Sequence, residues 1–263
     1  MHKSANDTAK LFFEMYWDSS FSNILEIGSF NVNGTLRDHQ PHGSQWVGVD
    51  IEAGPGVDLV VTSTGSLPFP DKSFDIIVAS SVFEHDPFFW NTFKEMVRLV
   101  SDKGFIYVNA PSNGSFHRYP LDAFRFYPDA GRALCDWGRK IRPELRLIES
   151  FITPQIEDIW NDFCAIFGVS AKNPKQFISS EIKCCNIWRL DEFVQDSFIE
   201  VTEDQSQNRL QSCELHQLNA QLFSIALELS TLKNSTSWRI TQPLRSIKSI
   251  FSNRLSKRLE IND

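Results

Sequence analysis

The stretch Ile24–Thr35, ILEIGSFNVNGT, passes from an apolar run through an acid to Gly28, then to polar residues and a second glycine, Gly34. An apolar run closed by a turn glycine is the pattern of a buried strand handing over to a loop. In an open parallel sheet such a loop lies beyond the carboxyl end of its strand, where ligands bind. The downstream sequence repeats the pattern. Trp46–Asp50 (WVGVD), Asp58–Thr62 (DLVVT), Phe74–Ser80 (FDIIVAS) and Phe105–Ala110 (FIYVNA) are four further short apolar runs. Between the last two, Phe89, Phe93, Met96, Val97 and Val100 recur at helical spacing, and Lys103-Gly104 supplies the turn into the fifth run. Strands of this kind alternating with helices predict a doubly wound, mostly parallel α/β sheet covered on both faces. Beyond Pro128 a helix is expected to about Gly138, with Leu145–Ile152 and Cys184–Leu190 as the last two strands.

The loop after the first strand constrains its ligand. Gly28 lets a ligand approach the backbone, because no side chain intervenes. A dinucleotide fingerprint, G-x-G-x-x-G, needs a glycine where Phe30 stands, and Asn33-Gly34 falls at the wrong spacing. No G-x-x-x-x-G-K-[ST] phosphate loop is present either. Glu26 would repel a pyrophosphate and attract an ammonium or sulfonium. Asp50 ends the second strand, where a carboxylate can accept hydrogen bonds from both hydroxyls of a ribose. A cationic adenosine fits both acids.

Four segments in register carry a family resemblance. ILEIGSFNVNGTLRD, WVGVDIEAGPGVDLVV, SLPFPDKSFDIIVASSVFEH and DKGFIYVNAPS resemble the successive motifs of class I S-adenosylmethionine-dependent methyltransferases of the type 11-like kind. FHRYPLDAFRFYPDAG, residues 116–131, resembles a subgroup found among bacterial surface-polysaccharide and glycan biosynthesis proteins. STSWRITQPLR is similar to C-terminal segments of glycosyltransferases and methyltransferases from that setting. The resemblance implies a Rossmann-like, seven-stranded sheet over residues 1–190 and S-adenosyl-L-methionine as cofactor. It places Glu26, Gly28, Ser29 and Phe30 along the methionine portion, Asp50 on the ribose, Ile51 beside the adenine, and Ser80 and Ser81 beneath the cofactor. The family often has an acid near the adenine amino group, just before the position of Leu67. Here that stretch reads Thr62-Ser63-Thr64-Gly65, which leaves Ser63 or a backbone group for the role. Phe30 replaces a commoner glycine, so a less open loop is expected.

The resemblance also implies O-methylation of a sugar or glycan precursor. The alternatives are a small-molecule or lipid-intermediate acceptor, and an inactive scaffold of the same fold. A sugar hydroxyl has a high pKa, so a base would assist its methylation. His117 and Asp122, after the fifth strand, are candidate bases, and His85 is another. Arg118 and Arg125 could bind a carboxylate or a sugar-nucleotide phosphate. The competing readings are an aromatic lid in which Arg and Asp pair with each other, and a helix-capping role for His85.

The remaining features concern partners. Among 263 residues the formal net charge is -7, which gives no pull toward nucleic acid. The five cysteines lack metal-ligand spacing, so a reduced, cytoplasmic chain with no metal site is expected. The start, MHKSANDTAK, lacks an apolar signal core, and no run approaches the ~20 apolar residues of a membrane span. Residues 191–209 form an acidic connector. In the expected helix 210–233, Leu215, Leu218, Leu222, Ile225, Leu229 and Leu232 stand at alternating spacings of three and four, a heptad seam. That helix either packs on its own domain or self-associates through 215–232. From Lys233 to Asp263, seven Lys/Arg face two Asp/Glu, a net of +5. The segment 234–258 is either an amphipathic contact with an anionic membrane, at its inner face, or a solvated tail.

Overall fold

Alternation along the strands sorts the apolar residues to two faces, and the helices follow. The computed structural model describes residues 3–62, 66–155, 160–170, 173–184, 187–194 and 207–241. It divides into two units, Met1–Val201 and Thr202–Asp263. In the first, α1 (Lys3–Tyr16) precedes β1 (Asn23–Ile27), β2 (Gln45–Asp50), β3 (Leu59–Val60) and β4 (Phe74–Ser80). Then come α2 (Phe89–Leu99), β5 (Val100–Pro111), α3 (Pro128–Gly138), β6 (Arg146–Ile152), β7 (Asp162–Gly168), α4 (Ile178–Glu181), β8 (Ile187–Arg189) and β9 (Glu192–Val194). They form one sheet in the order β3-β2-β1-β4-β5-β7-β6-β8-β9. The five strands from β3 to β5 are parallel, and β7, β6, β8 and β9 are joined antiparallel.

Ile24, Ile76, Val78 and Tyr107 pack with Phe12 and Phe13 of α1 and Ile178 of α4. Leu25, Ile27, Ile77, Ala79 and Val108 pack with Phe93, Met96 and Val97 of α2 and Leu134 of α3. Each fully buried Phe contributes roughly 1.5–3 kcal/mol of hydrophobic stabilisation. Glu149 of β6 is buried and pins the first layer. It accepts from Tyr16 Oη at 2.5 Å and from the backbone N–H groups of Ile178 and Ser179 at 3.0 Å. Burial against this carboxylate pushes the Tyr16 phenol well above its usual pKa.

The α/β class is as expected, with two corrections to the strands. The sheet has nine strands rather than seven, because the short β8 and β9 extend the edge beyond β6. The place between β5 and β6 belongs to Asp162–Gly168 (DFCAIFG), not to the expected Cys184–Leu190, of which only Ile187–Arg189 is strand, at the edge. A wholly buried apolar run carries no alternation to announce it. The first residues of the expected connector, Glu192–Val194, pair with β8, which hydrogen-bonds them into the sheet.

The second unit holds α5 (Gln207–Asn234) and α6 (Thr236–Ile240). Ser235 caps α6 by accepting from Trp238 N at 3.3 Å. Leu215, Leu218, Leu222, Ile225, Leu229 and Leu232 are all exposed, from 45% to 67%. Most of the basic segment 234–258 lies outside the described residues, as does the stretch 195–206 of the connector. Among the described residues no helix is long and apolar enough to cross a membrane.

Candidate functional site

A cleft of about 740 Å³ opens at the carboxyl ends of β1, β2 and β4. Its floor follows from the strand register. β1 pairs with β2 on one side and β4 on the other, so Glu26 lies level with Gly48 and Val78. Gly28 leaves β1 at φ +76° and donates its N–H to Val49 O at 2.9 Å. A Cβ there would meet Val82 Cγ2 at 2.2 Å, so the position has neither the conformation nor the space for a side chain. What remains is bare backbone facing the cleft.

Glu26 is buried, and burial raises its pKa to about 7 against the opposing help of Trp46, whose indole N–H donates to Oε2 at 2.9 Å. Such a carboxyl is ready to ionise against a cation. Asp50 accepts from Phe30 N at 3.0 Å through Oδ2 and from Ile51 N at 2.7 Å through Oδ1. It thereby ties the loop after β1 to the end of β2. Oδ1 also accepts from Glu52 N at 3.3 Å, whereas Oδ2 keeps a further lone pair for a hydroxyl. Ile51 is 48% exposed and lines the cleft, an apolar platform suited to a planar ring.

Two expected contacts take another form. Ser29 is buried and its side chain packs where a Cβ on Gly48 would lie, 2.7 Å away, so only its backbone can serve a ligand in the cleft. The Phe30 ring lies across Gly54, at 1.7 Å from where a Cβ would be, and so is parked on the loop after β2. Ser80 Oγ donates to Asn109 Oδ1 at 3.3 Å. Ser81 turns at φ +55°, a left-handed conformation rare for serine, with its N–H on Asn109 O at 3.0 Å. Both line the cleft. Ser63 lies outside the described residues. Sequence reading missed Glu95 of α2, which reaches the cleft and accepts from Leu67 N at 3.0 Å. It stands beside the turn whose own sequence lacks an acid, and helical periodicity alone could not place it there.

Across the cleft stand two histidines from different loops. His85 Nδ1 donates to Leu121 O, which leaves its Nε2 as the lone-pair nitrogen, 3.6 Å from Glu84 Oε1. Burial lowers the His85 pKa, which favours the neutral ring. His117 packs edge-on to His85 with ring centroids 5.1 Å apart, and its Nδ1 lies 3.1 Å from Ser115 O. Both line the cleft, together with Arg118, Tyr119 and Leu121.

Asp122 and Arg125 do not line it. Arg125 grips Asp122 with two bonds, Nη1 to Oδ1 at 2.5 Å and Nη2 to Oδ2 at 2.9 Å, and His117 N also donates to Oδ2 at 2.7 Å. The Arg125 bond chiefly holds the Asp122 carboxyl down at about 2. A carboxylate so weakly basic cannot serve as base near neutral pH, and its guanidinium partner is not free for substrate. Of the two readings of the sequence, the base and substrate-binding roles give way to the pairing of Arg with Asp, and the bond from His117 N ties that pair to the His117 loop.

The geometry can be set beside known proteins. Residues 26–108 match the family model of a methyltransferase domain, and S-adenosylmethionine is the cofactor of that family. No curated protein sequence matches the chain. Among solved structures, the chain is similar to a Burkholderia thailandensis 1,6-didemethyltoxoflavin-N1-methyltransferase bound to 1,6-didemethyltoxoflavin and S-adenosylhomocysteine (TM-score 0.47, 10% identity, 63% of this chain and 77% of that one). It is also similar to a SAM-dependent methyltransferase from Aquifex aeolicus (TM-score 0.45, 12% identity, 63% and 91%). A third is the CurJ carbon methyltransferase (TM-score 0.44, 12% identity, 60% of this chain), of which the match spans about half, 51%.

Proposed function

We propose that this chain transfers a methyl group from S-adenosylmethionine to a hydroxyl oxygen of a sugar or glycan precursor. One observation carries the reading. A single cleft has a buried acid and bare strand-end backbone on one wall and two histidine side chains on the other. The cofactor fits the first wall by chemistry: Gly28 clears the backbone, Glu26 offers a carboxylate to a cation, Asp50 meets a ribose and Ile51 an adenine. When bound, it supplies an activated methyl on sulfonium, so the chain need only align the acceptor and manage one proton.

The acceptor wall suits a hydroxyl. His117 and His85 present nitrogens that can hold or remove its proton at the cleft mouth. Phe116 and Tyr119 are exposed at 74% and 53%, flat surfaces of the kind on which sugar rings stack, with Arg118 beside them for an anionic group. The resemblance of residues 116–131 supports a glycan over other small molecules. Calorimetry with S-adenosylmethionine and its demethylated product is the test. Micromolar binding of both is expected, followed by methyl transfer to an oligosaccharide or sugar-nucleotide acceptor. Absence of binding ends the enzyme reading, and binding without transfer to any acceptor favours a scaffold.

For the second unit we propose parallel self-association of α5. Six exposed apolar residues at heptad spacing leave a seam that a second copy covers. In a parallel pair Glu228 of one copy falls opposite Lys233 of the other, whereas an antiparallel pair loses that match.

A further inference from the structure

We propose that Glu84, His85 and His117 form a binding site for a divalent cation of the zinc type, at the acceptor mouth of the cleft. Their ligating atoms, one from each residue, all lie within 4.8 Å of one another. A tetrahedral ion with bonds of ~2.1 Å needs neighbouring ligands about 3.4 Å apart. Glu84 and His85 are already at 3.6 Å, so only the His117 loop has to draw in. Two imidazoles and one carboxylate are a recurrent donor set for Zn²⁺ that leaves a fourth position open.

Three further observations point to a ligand. First, Glu84 is 1% exposed, yet its Oε2 has no hydrogen-bond partner. Arg125, whose charge acts on Glu84, is committed to Asp122 by both of its terminal nitrogens. A buried carboxyl oxygen without a partner is costly, and a cation bound to it removes that cost. Second, the tautomer is set correctly. His85 Nδ1 donates to Leu121 O, and His117 Nδ1 sits against Ser115 O, so both Nε2 atoms keep their lone pairs. Backbone carbonyls behind ligating histidines play this orienting role in metal sites. Third, the two loops are joined independently of the side chains, by Ala123 N to Glu84 O at 2.7 Å. Cysteine spacing is silent about this site because its ligands are imidazole and carboxylate.

The position of the site gives it a use, and this part rests on the methyltransferase reading. With the fourth position turned to the cleft, the cation would bind the acceptor oxygen, lower the hydroxyl pKa and release its proton to solvent at the mouth. The two histidines then act through the cation rather than as bases.

The test is calorimetric titration of the chelator-treated full-length protein with ZnCl₂, in a Cys213→Ser background to remove the one exposed thiol among the described cysteines. One Zn²⁺ per chain with micromolar or tighter affinity is expected. Glu84→Gln and His117→Gln should each weaken it by at least ~100-fold while S-adenosylmethionine affinity stays the same. His117 sits in a surface loop, so its variant remains informative if the Glu84 variant fails to fold. Zinc-edge absorption should show nitrogen and oxygen ligands only. Stoichiometric binding that is absent, that survives both substitutions or that shows sulfur ligands overturns the site. Methyl transfer by metal-free protein, with zinc binding intact, leaves the site and overturns its role in the reaction.

Discussion

The two walls of the cleft are built by different means. The donor wall is made of strand ends. Glu26, Gly28 and Asp50 follow from the parallel pairing of β1, β2 and β4, and each is fixed by a backbone bond or a packed neighbour of the sheet. The acceptor wall is made of two loops, around residues 81–88 and 115–125. These are held by bonds such as His85 Nδ1 to Leu121 O and Arg125 to Asp122. A wall tied to the sheet holds one ligand rigidly, whereas a wall of loops changes its residues without disturbing the core. On the proposed function, the sheet-built wall would hold the methyl donor and the loop-built wall the acceptor.

Substitutions can break this contrast, the largest effect coming first. Gly28→Val puts a branched side chain at φ +76° against Val82. Donor affinity should fall by about 100-fold, roughly 2.7 kcal/mol, by calorimetry. Unchanged affinity would mean that the bare backbone is not what admits the cofactor. Arg125→Ala should loosen the His117 loop and raise the acceptor KM by about tenfold, with donor affinity unaltered, since the pair lies off the donor wall. Hydrogen exchange confined to residues 115–125 would confirm it; weakened donor binding would dissolve the distinction between the walls.

The next effect depends on pH. Burial raises the folded Glu26 pKa to about 7, so ionising it opposes folding, and its favourable linkage is lost as pH rises from ~4.5 through 7. A cationic ligand favours the ionised form. Donor affinity should therefore increase several-fold between pH ~5.5 and ~7.5, and Glu26→Gln should flatten the dependence. Asp122 has the opposite sign. Its depressed pKa lends stability that is present above ~3.9 and lost as pH falls toward 2, so Asp122→Asn should remove part of the acid sensitivity seen in thermal melts. The smallest effect on catalysis is expected from removing residues 202–263. Turnover should be unchanged while sedimentation mass drops from dimer to monomer; equal masses per chain would end the proposed pairing of α5.

Much of the donor wall was legible in the sequence because its information is local. An apolar run followed by Glu-Ile-Gly already specifies a strand end and a backbone that a ligand can touch. The same locality accounts for β4 and α3, whose observed bounds, Phe74–Ser80 and Pro128–Gly138, coincide with the apolar run and the helical signal. Asp162–Gly168 escaped because its seven residues are all buried and so show no period. For Asp122 and Arg125 the sequence left two readings open, a substrate role and a mutual pair within an aromatic lid, because charge and position suit both. The folded loop decides between them by pairing the two side chains with each other.

The sequence by itself determined the apolar runs of the first five strands, the acid and glycine of the donor loop, and the heptad seam, since each depends on neighbours within a few residues. Tertiary structure decided where β7 inserts, how Phe30 turns onto Gly54, and that Glu84, His85 and His117 meet. Those outcomes depend on which surfaces remain to be covered once the sheet has formed. His85 and His117 stand 32 positions apart in the chain. Only the closing of two loops over the end of β4 and β5 brings their rings to 5.1 Å.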